Sequence, residues 1–239
     1  MFSIEQDVYI VTTLFPIITC EHAGNDVPTR FARFFSSASE QLQSHLGWDP
    51  GAREIAAFFA RELHAPFFKC ESTRLLVEPN RSLHSETLFS KFVQELSESE
   101  RQEVLNQYYI PHRASVEDRI RVSAKPVLHL SVHTFTPVFN GIVRDVDVGL
   151  LFDPERPNEN RFCHLWMQSL NKHAPDVRCR FNEPYLGTDD GFTTYLRTKF
   201  NDEEYLGIEI EVSQRFVETS EMERIAGLLL VSLKELLSD

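Results

Sequence analysis

Two histidines stand where apolar, strand-like runs come to an end. His22 follows the run Phe15–Cys20, and His133 follows the run Val127–Val132. The loops beyond the carboxyl ends of parallel strands gather at one edge of an α/β sheet, so we expect the two imidazoles to lie close together. Two neutral imidazoles and a carboxylate are a ligand set for Zn²⁺ or another divalent metal. For either histidine alone, a structural hydrogen bond is the competing interpretation.

Several residues could supply the carboxylate of such a site. Asp49, in "HLGWDPGA", is the preferred ligand because it precedes a helix-like stretch, although an Asp before Pro-Gly also caps helices and turns. Glu21 and Asp26, in "TCEHAGND", are weaker candidates. Asn25 stands three residues after His22, but neutral amides bind zinc poorly.

A third strand-like run carries two acids. The run Leu206–Val212 contains Glu209 and Glu211 within "LGIEIEVSQ". A carboxylate that is not itself a ligand can serve as the base in metal-dependent hydrolysis. Two histidines and an acid on three strand ends therefore favour a zinc hydrolase site.

A cationic segment, "STRLLVEPNRS", contains Arg74, Asn80 and Arg81. An arginine beside an asparagine at the end of a strand-like run can hold a substrate carboxylate through paired hydrogen bonds. The competing interpretation for Arg74 is an ion pair with Glu71 or Glu78. The segment is therefore a candidate substrate-binding element.

Other catalytic patterns are missing from the sequence. It has no G-x-S-x-G elbow, no glycine-rich phosphate loop and no H-E-x-x-H helix. Four cysteines are widely spaced without a C-x-x-C pair, which is typical of reduced thiols in a cytosolic protein. Cys20 shares a strand face with His22 and could act as a nucleophile, but we expect a buried structural thiol.

Composition narrows the class of protein. The 239 residues are 42% hydrophobic, which is enough to fill a sizeable core, and the net charge of -12 disfavours nucleic acid and anionic membranes as partners. The N-terminus lacks the cationic start of a secretory signal, and the apolar stretch Tyr9–Cys20, about a dozen residues long, is too short to span a bilayer. We expect a soluble cytoplasmic protein with a small-molecule substrate, and the sequence leaves a homo-oligomer open.

Strand-like and helix-like stretches alternate along the chain. Helix periodicity is clearest in Ala52–Leu63 and Glu221–Leu237. This alternation predicts an α/β fold with a mostly parallel sheet flanked by helices on both faces, in a single domain of residues 1–239. Ser82–Glu103 is predicted as a helical excursion and Pro154–Asn160 as a loop. The predicted strands are Phe15–Cys20, Pro66–Cys70, Leu75–Val77, Val127–Val132, Val148–Phe152 and Leu206–Val212.

Six motifs, in order, resemble the N-formylglutamate amidohydrolase family, in particular its members of unassigned substrate. They extend from Cys20 to Glu211 and read "CEHAGNDVP", "LGWDPGA", "TRLLVEPNRS", "SVHTFTPVFNG", "NEPY" and "GIEIE". The family is similar to zinc carboxypeptidases and to the aspartoacylase group. The resemblance implies a mixed, mostly parallel sheet and metal-dependent hydrolysis of an N-acyl amino acid.

The resemblance also implies roles for individual residues. His22 and His133 match metal ligands, with Asp49 as the expected third ligand, and Glu209 matches the catalytic carboxylate. The segment that binds the substrate carboxylate in carboxypeptidase-like sites corresponds to Arg74, Asn80 and Arg81. Arg74 or Arg144, the latter in "NGIVRD", would help to stabilise the oxyanion of the reaction.

Two departures from the family pattern bear on the substrate. Where many relatives read Ile-Glu-Ile-Arg, this chain has Glu211 in place of the arginine, and "IVRDVDVG" replaces an Arg-Pro-Trp stretch. An anion in place of a cation favours a less acidic or even cationic substrate over N-formylglutamate. Two alternatives to the deacylase remain: a non-catalytic metal-binding sensor of acyl amino acids, and a carboxypeptidase or amidase acting on short peptides.

Overall fold

A computed structural model of the chain describes residues 14–238. The N-terminal segment, for which the sequence predicts neither a secretory signal nor a membrane span, lies mostly outside this range. Within the range the strands are β1 (Phe15–Cys20), β2 (Phe67–Lys69), β3 (Val127–Phe135), β4 (Val138–Phe139), β5 (Ile142–Val143), β6 (Val148–Leu151), β7 (Cys179–Phe181) and β8 (Tyr205–Ser213).

The α-helices in the same range are α1 (Ser39–Gln43), α2 (Ala52–Glu62), α3 (Glu98–Val104), α4 (Ile110–Arg121), α5 (Pro157–His173), α6 (Phe192–Arg197) and α7 (Ser220–Ser238). A π-helical turn, Leu105–Tyr109, joins α3 to α4. Short 3₁₀ turns cover Thr29–Phe35, Lys91–Val93 and Gln214–Phe216. No helix within residues 14–238 is both long enough and apolar enough to cross a membrane.

Six strands form one mixed sheet in the order β2-β1-β3-β8-β6-β7, and β4 pairs with β5 in a separate hairpin. Every pair in the large sheet is parallel except β6 with β8, which is antiparallel. The chain leaves β1 towards β2 on one side and returns to β3 on the other, so the strand order reverses between β1 and β3. Ligand sites of open α/β sheets form at such a reversal.

The central strands divide polar from apolar residues by alternation. Side chains of successive strand residues point to opposite faces, and the polar face of β3 carries Ser131 and His133. Ser131 is paired in register with Glu209 of β8, and His133 with Glu211. Leu130, Val132, Ile208 and Ile210 are fully buried in the main apolar cluster on the opposite face.

Helices cover both faces of the sheet, as predicted. The main apolar cluster joins the strands to Phe59 of α2, Trp166 of α5 and Leu229 of α7. A smaller cluster joins Ile120 of α4 and Leu196 of α6 to the other face. The predicted fold class, a mixed and mostly parallel sheet flanked by helices, is confirmed.

Several local predictions were wrong. Leu75–Val77 forms no strand; it is a buried turn in a third apolar cluster, because apolar residues can be buried without strand pairing. Within Ser82–Glu103 regular α-helix begins only at Glu98, where Ser97 forms a capping box with Glu100. The predicted loop Pro154–Asn160 already contains the start of α5 at Pro157, since proline suits the first turn of a helix. β7 was not predicted, because three residues carry little periodicity.

Glu159 connects α5, α6 and β8. Its side chain is fully buried, forms an ion pair with Arg197 of α6 at 3.0 Å and accepts a hydrogen bond from the backbone N–H of Gly207 at 3.1 Å. Arg197 in turn donates to the carbonyl of Gly207 at 2.7 Å. Glu159 therefore fixes α6 against the strand that carries Glu209.

Glu159→Ala is expected to lower the free energy of unfolding by about 3–5 kcal/mol, because it leaves a buried arginine without its partner. Urea denaturation followed by circular dichroism measures the change. Glu155→Ala, which removes an exposed glutamate from the preceding loop, is the matched control and should leave stability within about 0.5 kcal/mol of wild type. Equal stability of the two variants would contradict the structural role of Glu159.

Candidate metal centre

Three potential ligand atoms converge at the reversal between β1 and β3. His22 lies just after β1, Asp49 lies in the turn before α2, and His133 lies near the end of β3. Asp49 Oδ2 is 3.1 Å from His22 Nδ1 and 3.0 Å from His133 Nδ1, and the two nitrogens are 3.2 Å apart. All three side chains are buried.

The local chain geometry brings Asp49 to the histidines. Its backbone N–H donates to the carbonyl of His22 at 3.0 Å, which joins the two loops. Gly51 then adopts a left-handed conformation, with φ of 85°, and turns the chain into α2. The Asp49 side chain does not cap this helix; its Oδ2 atom contacts the two imidazoles instead.

The outer ring nitrogens determine which nitrogen of each histidine carries the proton. His22 Nε2 lies 2.5 Å from Glu78 Oε1, so the imidazole donates its N–H to that carboxylate. Ser131 donates its hydroxyl proton to Glu21 at 2.6 Å, so its oxygen accepts from His133 Nε2 at 2.9 Å. When these outer nitrogens carry the proton of a neutral ring, the Nδ1 lone pair of each histidine faces the centre of the triangle, as in metal-binding histidines that donate outward to carboxylates.

The surrounding charges favour a cation at this point. Burial raises the pKa of Asp49, but the neighbouring histidines and Arg74 outweigh it and hold that pKa well below its ordinary range. Burial also opposes ionisation of Glu78, yet Arg74 and His22 lower its pKa. Burial lowers the pKa of His133, but hydrogen bonds with Asp49 and Glu21 outweigh it and raise that pKa well above its usual value. Positive charge in the centre is thus stabilised.

The residues fit a divalent metal ion. In tetrahedral coordination with bonds of about 2.0–2.1 Å, ligand atoms lie about 3.3 Å from one another, close to the separations of 3.0–3.2 Å in this triangle. Two imidazoles and one carboxylate are also the donor set of catalytic sites that leave a coordination position open. His22, Asp49 and His133 could therefore hold a metal.

The other candidate ligands lie elsewhere. Asn25 donates its side-chain amide to the carbonyl of Leu42 at 2.8 Å, and Asp26 forms a β-bridge with Ser72. Glu21 supports His133 from behind through Ser131, at 3.3 Å from His133 Nε2. Cys20 is fully buried, and burial raises the pKa of its thiol well above the usual value, as expected for a structural cysteine.

A cavity of about 140 Å³ opens beside the three ligand atoms. Its walls include Asn80, Arg81, Glu209 and Glu211. Glu209 Oε1 accepts a hydrogen bond from Thr193 at 2.6 Å. Burial, with the nearby negative charges of Asp49 and Glu209, raises the pKa of Glu211 to about 8. The structure therefore brings seven of the eight predicted site residues to this cavity.

Two of the predicted arginines, Arg74 and Arg144, have other partners. Arg74 lines the cavity, but its guanidinium donates to Glu78 at 2.6 Å and to Asp49 at 3.2 Å. This matches the competing interpretation of an ion pair with Glu78. Arg144 lies over the ring of Phe139 at 4.7 Å and that of Tyr185 at 4.9 Å, and it does not line the cavity as described. A direct role for Arg144 in the reaction stays a prediction.

Sequence reasoning missed some residues that build the site. Glu78 was considered only as a partner of Arg74, although an acid between Arg74 and Asn80 was visible in "RLLVEPN". Thr193, which holds Glu209, lies in a segment without any recognised motif. Ser131 precedes His133 by two residues and so shares its strand face, which is a signal that could have identified it.

Comparison with known protein families identifies the family of the chain. Residues 16–217 match the family model described as N-formylglutamate amidohydrolase. The chain belongs to the N-formylglutamate amidohydrolase family. It is accordingly a member of a family of hydrolases, and the resemblance seen in the sequence motifs is confirmed.

Solved structures include a similar chain, the gene product Atu2144 from Agrobacterium tumefaciens. It has 25% sequence identity and a TM-score of 0.79, over 97% of this chain and 93% of that chain. A metallo-carboxypeptidase from Burkholderia cenocepacia has 12% identity and a TM-score of 0.40, over 94% of this chain and 57% of that chain, a likeness too low to carry an argument. No curated protein matches the chain.

His22→Ala is expected to abolish stoichiometric metal binding, because it removes one of three converging donors. Metal-free protein is incubated with Zn²⁺, passed through a desalting column and measured by plasma mass spectrometry. His84→Ala, which removes an exposed histidine, is the control and should retain the wild-type metal content. Wild-type metal content in His22→Ala would show that the triangle is not the metal site.

Glu78→Gln is expected to weaken metal binding by about 10- to 100-fold without abolishing it, because the acceptor that orients His22 loses its charge. Competition with a chromophoric chelator measures the affinity. Glu86→Gln, an exposed glutamate in the same connection, serves as control. Unchanged affinity in Glu78→Gln would show that the carboxylate of Glu78 does not contribute to metal binding.

Proposed function

We propose that this chain is a metal-dependent hydrolase that cleaves the amide bond of an N-acyl amino acid. The observation that carries the proposal is the triangle of His22 Nδ1, Asp49 Oδ2 and His133 Nδ1 on the wall of a small cavity. Glu209 and Arg81 line the same cavity and provide an acid and a cation beside the triangle. The family to which the chain belongs supports amide hydrolysis as the reaction.

Zn²⁺ is the metal that this donor set favours, with His22, Asp49 and His133 as its protein ligands. When bound, the metal supplies Lewis-acid assistance to the attack of water on the acyl carbonyl. Arg74 keeps Asp49 ionised and oriented from outside the triangle, through the hydrogen bond to Oδ1. The outer partners Glu78 and Ser131 keep both imidazoles in the tautomer that presents Nδ1.

Glu209 is the proposed proton acceptor. Its carboxylate is buried, and the hydrogen bond from Thr193 holds one oxygen and leaves the other for a proton. In this proposal Glu209 takes a proton from the attacking water and returns it to the departing amine. The buried surroundings limit competition from bulk water at this carboxylate.

Arg81 is the proposed anchor for the substrate carboxylate. Its Nη1 atom donates to the backbone carbonyls of Asn80 and Asp190, at 2.8 and 2.9 Å, and within residues 14–238 it forms no ion pair. The rest of the guanidinium can therefore bind an anion. Asn80 accepts from the backbone N–H of Phe192 at 2.6 Å, which positions the start of α6 and hence Thr193.

The size of the cavity favours a single amino acid over an extended peptide. Pockets for drug-sized ligands commonly measure about 300–1,000 Å³, whereas this cavity measures about 140 Å³. An exopeptidase would need a groove for the residues that precede the scissile bond. We therefore expect that the chain does not cleave di- and tripeptides.

Glu209→Gln is expected to lower kcat by about 100- to 10,000-fold while the metal content stays at the wild-type level, because the amide cannot accept the proton. A panel of N-formyl and N-acetyl amino acids is assayed for release of the free amine, with and without prior chelation. Glu203→Gln, an exposed glutamate in the loop before β8, is the control.

Two results would contradict this proposal. Near-normal rates in Glu209→Gln would show that Glu209 is not the proton acceptor. Retained metal without turnover of any member of the panel by the wild-type chain would instead favour a binding protein that senses acyl amino acids.

A further inference from the structure

Glu211 is a buried acid that forms no hydrogen bond with the residues that the structure describes. It lines the cavity beside the candidate metal centre, and only 6% of its surface is exposed. Its Oε2 atom is inaccessible to solvent, and no donor within residues 14–238 forms a hydrogen bond with it. Buried carboxylates are costly unless paired, so such a group in a cavity wall calls for a ligand.

The neighbours of Glu211 in the sheet explain why it has no partner. On one side its register partner is His133, whose ring nitrogens face Asp49 and Ser131. On the other side the register partner is Gly149, which has no side chain to offer. A Cβ atom at position 149 would lie 2.0 Å from the carbonyl oxygen of Glu183. The backbone of Glu183 therefore leaves room only for glycine at this position.

Other acids of the cavity already have donors. Asp190 accepts from the backbone N–H of Ser82 at 3.0 Å and from its hydroxyl at 3.1 Å. Asp189 accepts from the backbone N–H of Leu186 at 3.1 Å. Together with the Thr193 hydroxyl on Glu209, these bonds leave Glu211 as the unpaired carboxylate of the described lining.

The cations of the cavity show the complementary pattern. Arg74 is close enough to Glu211 to lower its pKa electrostatically, but the guanidinium of Arg74 is hydrogen-bonded to Glu78 and Asp49. Arg81 donates to backbone carbonyls and pairs with no carboxylate within the described residues. The cavity thus offers a ligand one cation, Arg81, and at a separate point of its wall a carboxyl group, Glu211, whose ionised form a cationic ligand group would stabilise.

We propose that Glu211 binds a cationic group of the substrate side chain, so that the chain acts on N-acyl derivatives of basic amino acids. This inference rests on the proposed hydrolase function. The α-nitrogen of an N-acyl amino acid is a neutral amide, and its α-carboxylate is assigned to Arg81. A positive charge for Glu211 must therefore come from an ammonium or guanidinium group of the side chain. An acidic side chain would instead place a second carboxylate beside Glu211.

The test compares Nα-formyl-L-lysine, Nα-formyl-L-norleucine and Nα-formyl-L-glutamate as substrates of the metal-loaded chain. Norleucine retains the linear side chain without the ammonium group. The wild-type chain is expected to prefer the lysine derivative to the norleucine derivative by about 10- to 100-fold in kcat/KM, the range for a hydrogen bond between charged groups. Glu211→Gln should abolish this preference, and Glu203→Gln should retain it.

Binding is measured separately from cleavage, so that the two proposals can fail independently. Calorimetry of the three compounds with metal-loaded Glu209→Gln, and with Glu209→Gln combined with Glu211→Gln, reports affinity without turnover. Selective binding of the lysine derivative without cleavage by the wild-type chain would overturn the hydrolase and leave Glu211 as the determinant of selectivity. Cleavage without preference for the lysine derivative would overturn the role of Glu211 and leave the hydrolase.

Two further outcomes would count against the proposal. A loss in Glu211→Gln that is equal for all three substrates would place Glu211 in the reaction itself rather than in selectivity. Absence of binding for all three compounds would overturn the assignment of the cavity to acyl amino acids. If Glu211→Gln fails to fold, the wild-type preference between the lysine and norleucine derivatives still decides the question without any variant.

Discussion

The site depends on one electrostatic constraint: three electron-pair donors face one another 3.0–3.2 Å apart in a buried setting. Without positive charge between them, His22 Nδ1, His133 Nδ1 and Asp49 Oδ2 would repel one another in a medium that screens charge poorly. The outer contacts with Glu78 and Ser131 direct the ring protons away from the centre. These contacts and the triangle therefore form one unit that could hold a cation.

The sheet provides the rigidity that this arrangement requires. β1 and β3 are adjacent parallel strands, so their carboxyl ends lie at the same edge, and β8 adds two acids in register with Ser131 and His133. The opposite face of the same strands packs against α2, α5 and α7 in the main apolar cluster. Because successive side chains of a strand point to opposite faces, the polar site residues lie on one face of the sheet and the apolar core lies on the other.

Charge matching extends from the metal centre into the cavity. Most acids and cations of the described wall are satisfied by other groups of the chain, as Arg74 is by Glu78 and Asp49. Arg81 and Glu211 are the exceptions, and a ligand that carries both a carboxylate and a cationic group would complement them. The family relationship concerns the class of reaction, whereas this pair bears on the proposed substrate.

The sequence by itself determined the class of fold and the set of candidate residues for the centre of the site. Long apolar runs predicted β1, β3 and β8, helix periodicity predicted α2 and α7, and His22, Asp49 and His133 were recognised at the ends of elements. These features are local, because periodicity and strand ends can be read within a few residues. Periodicity could not identify short or irregular elements such as β7 and the turn Leu75–Val77, because they contain too few residues.

Only the tertiary structure decided the partners of those residues. Asp49 was selected over Glu21, Asn25 and Asp26 because its loop is joined to that of His22 by a backbone hydrogen bond. Arg74 proved to pair with Glu78, which the sequence had left as one of two interpretations, and Glu211 forms no hydrogen bond within residues 14–238, which the sequence did not predict. Ion pairing and burial depend on side chains brought together from distant segments, so their outcome is fixed only when the chain has folded.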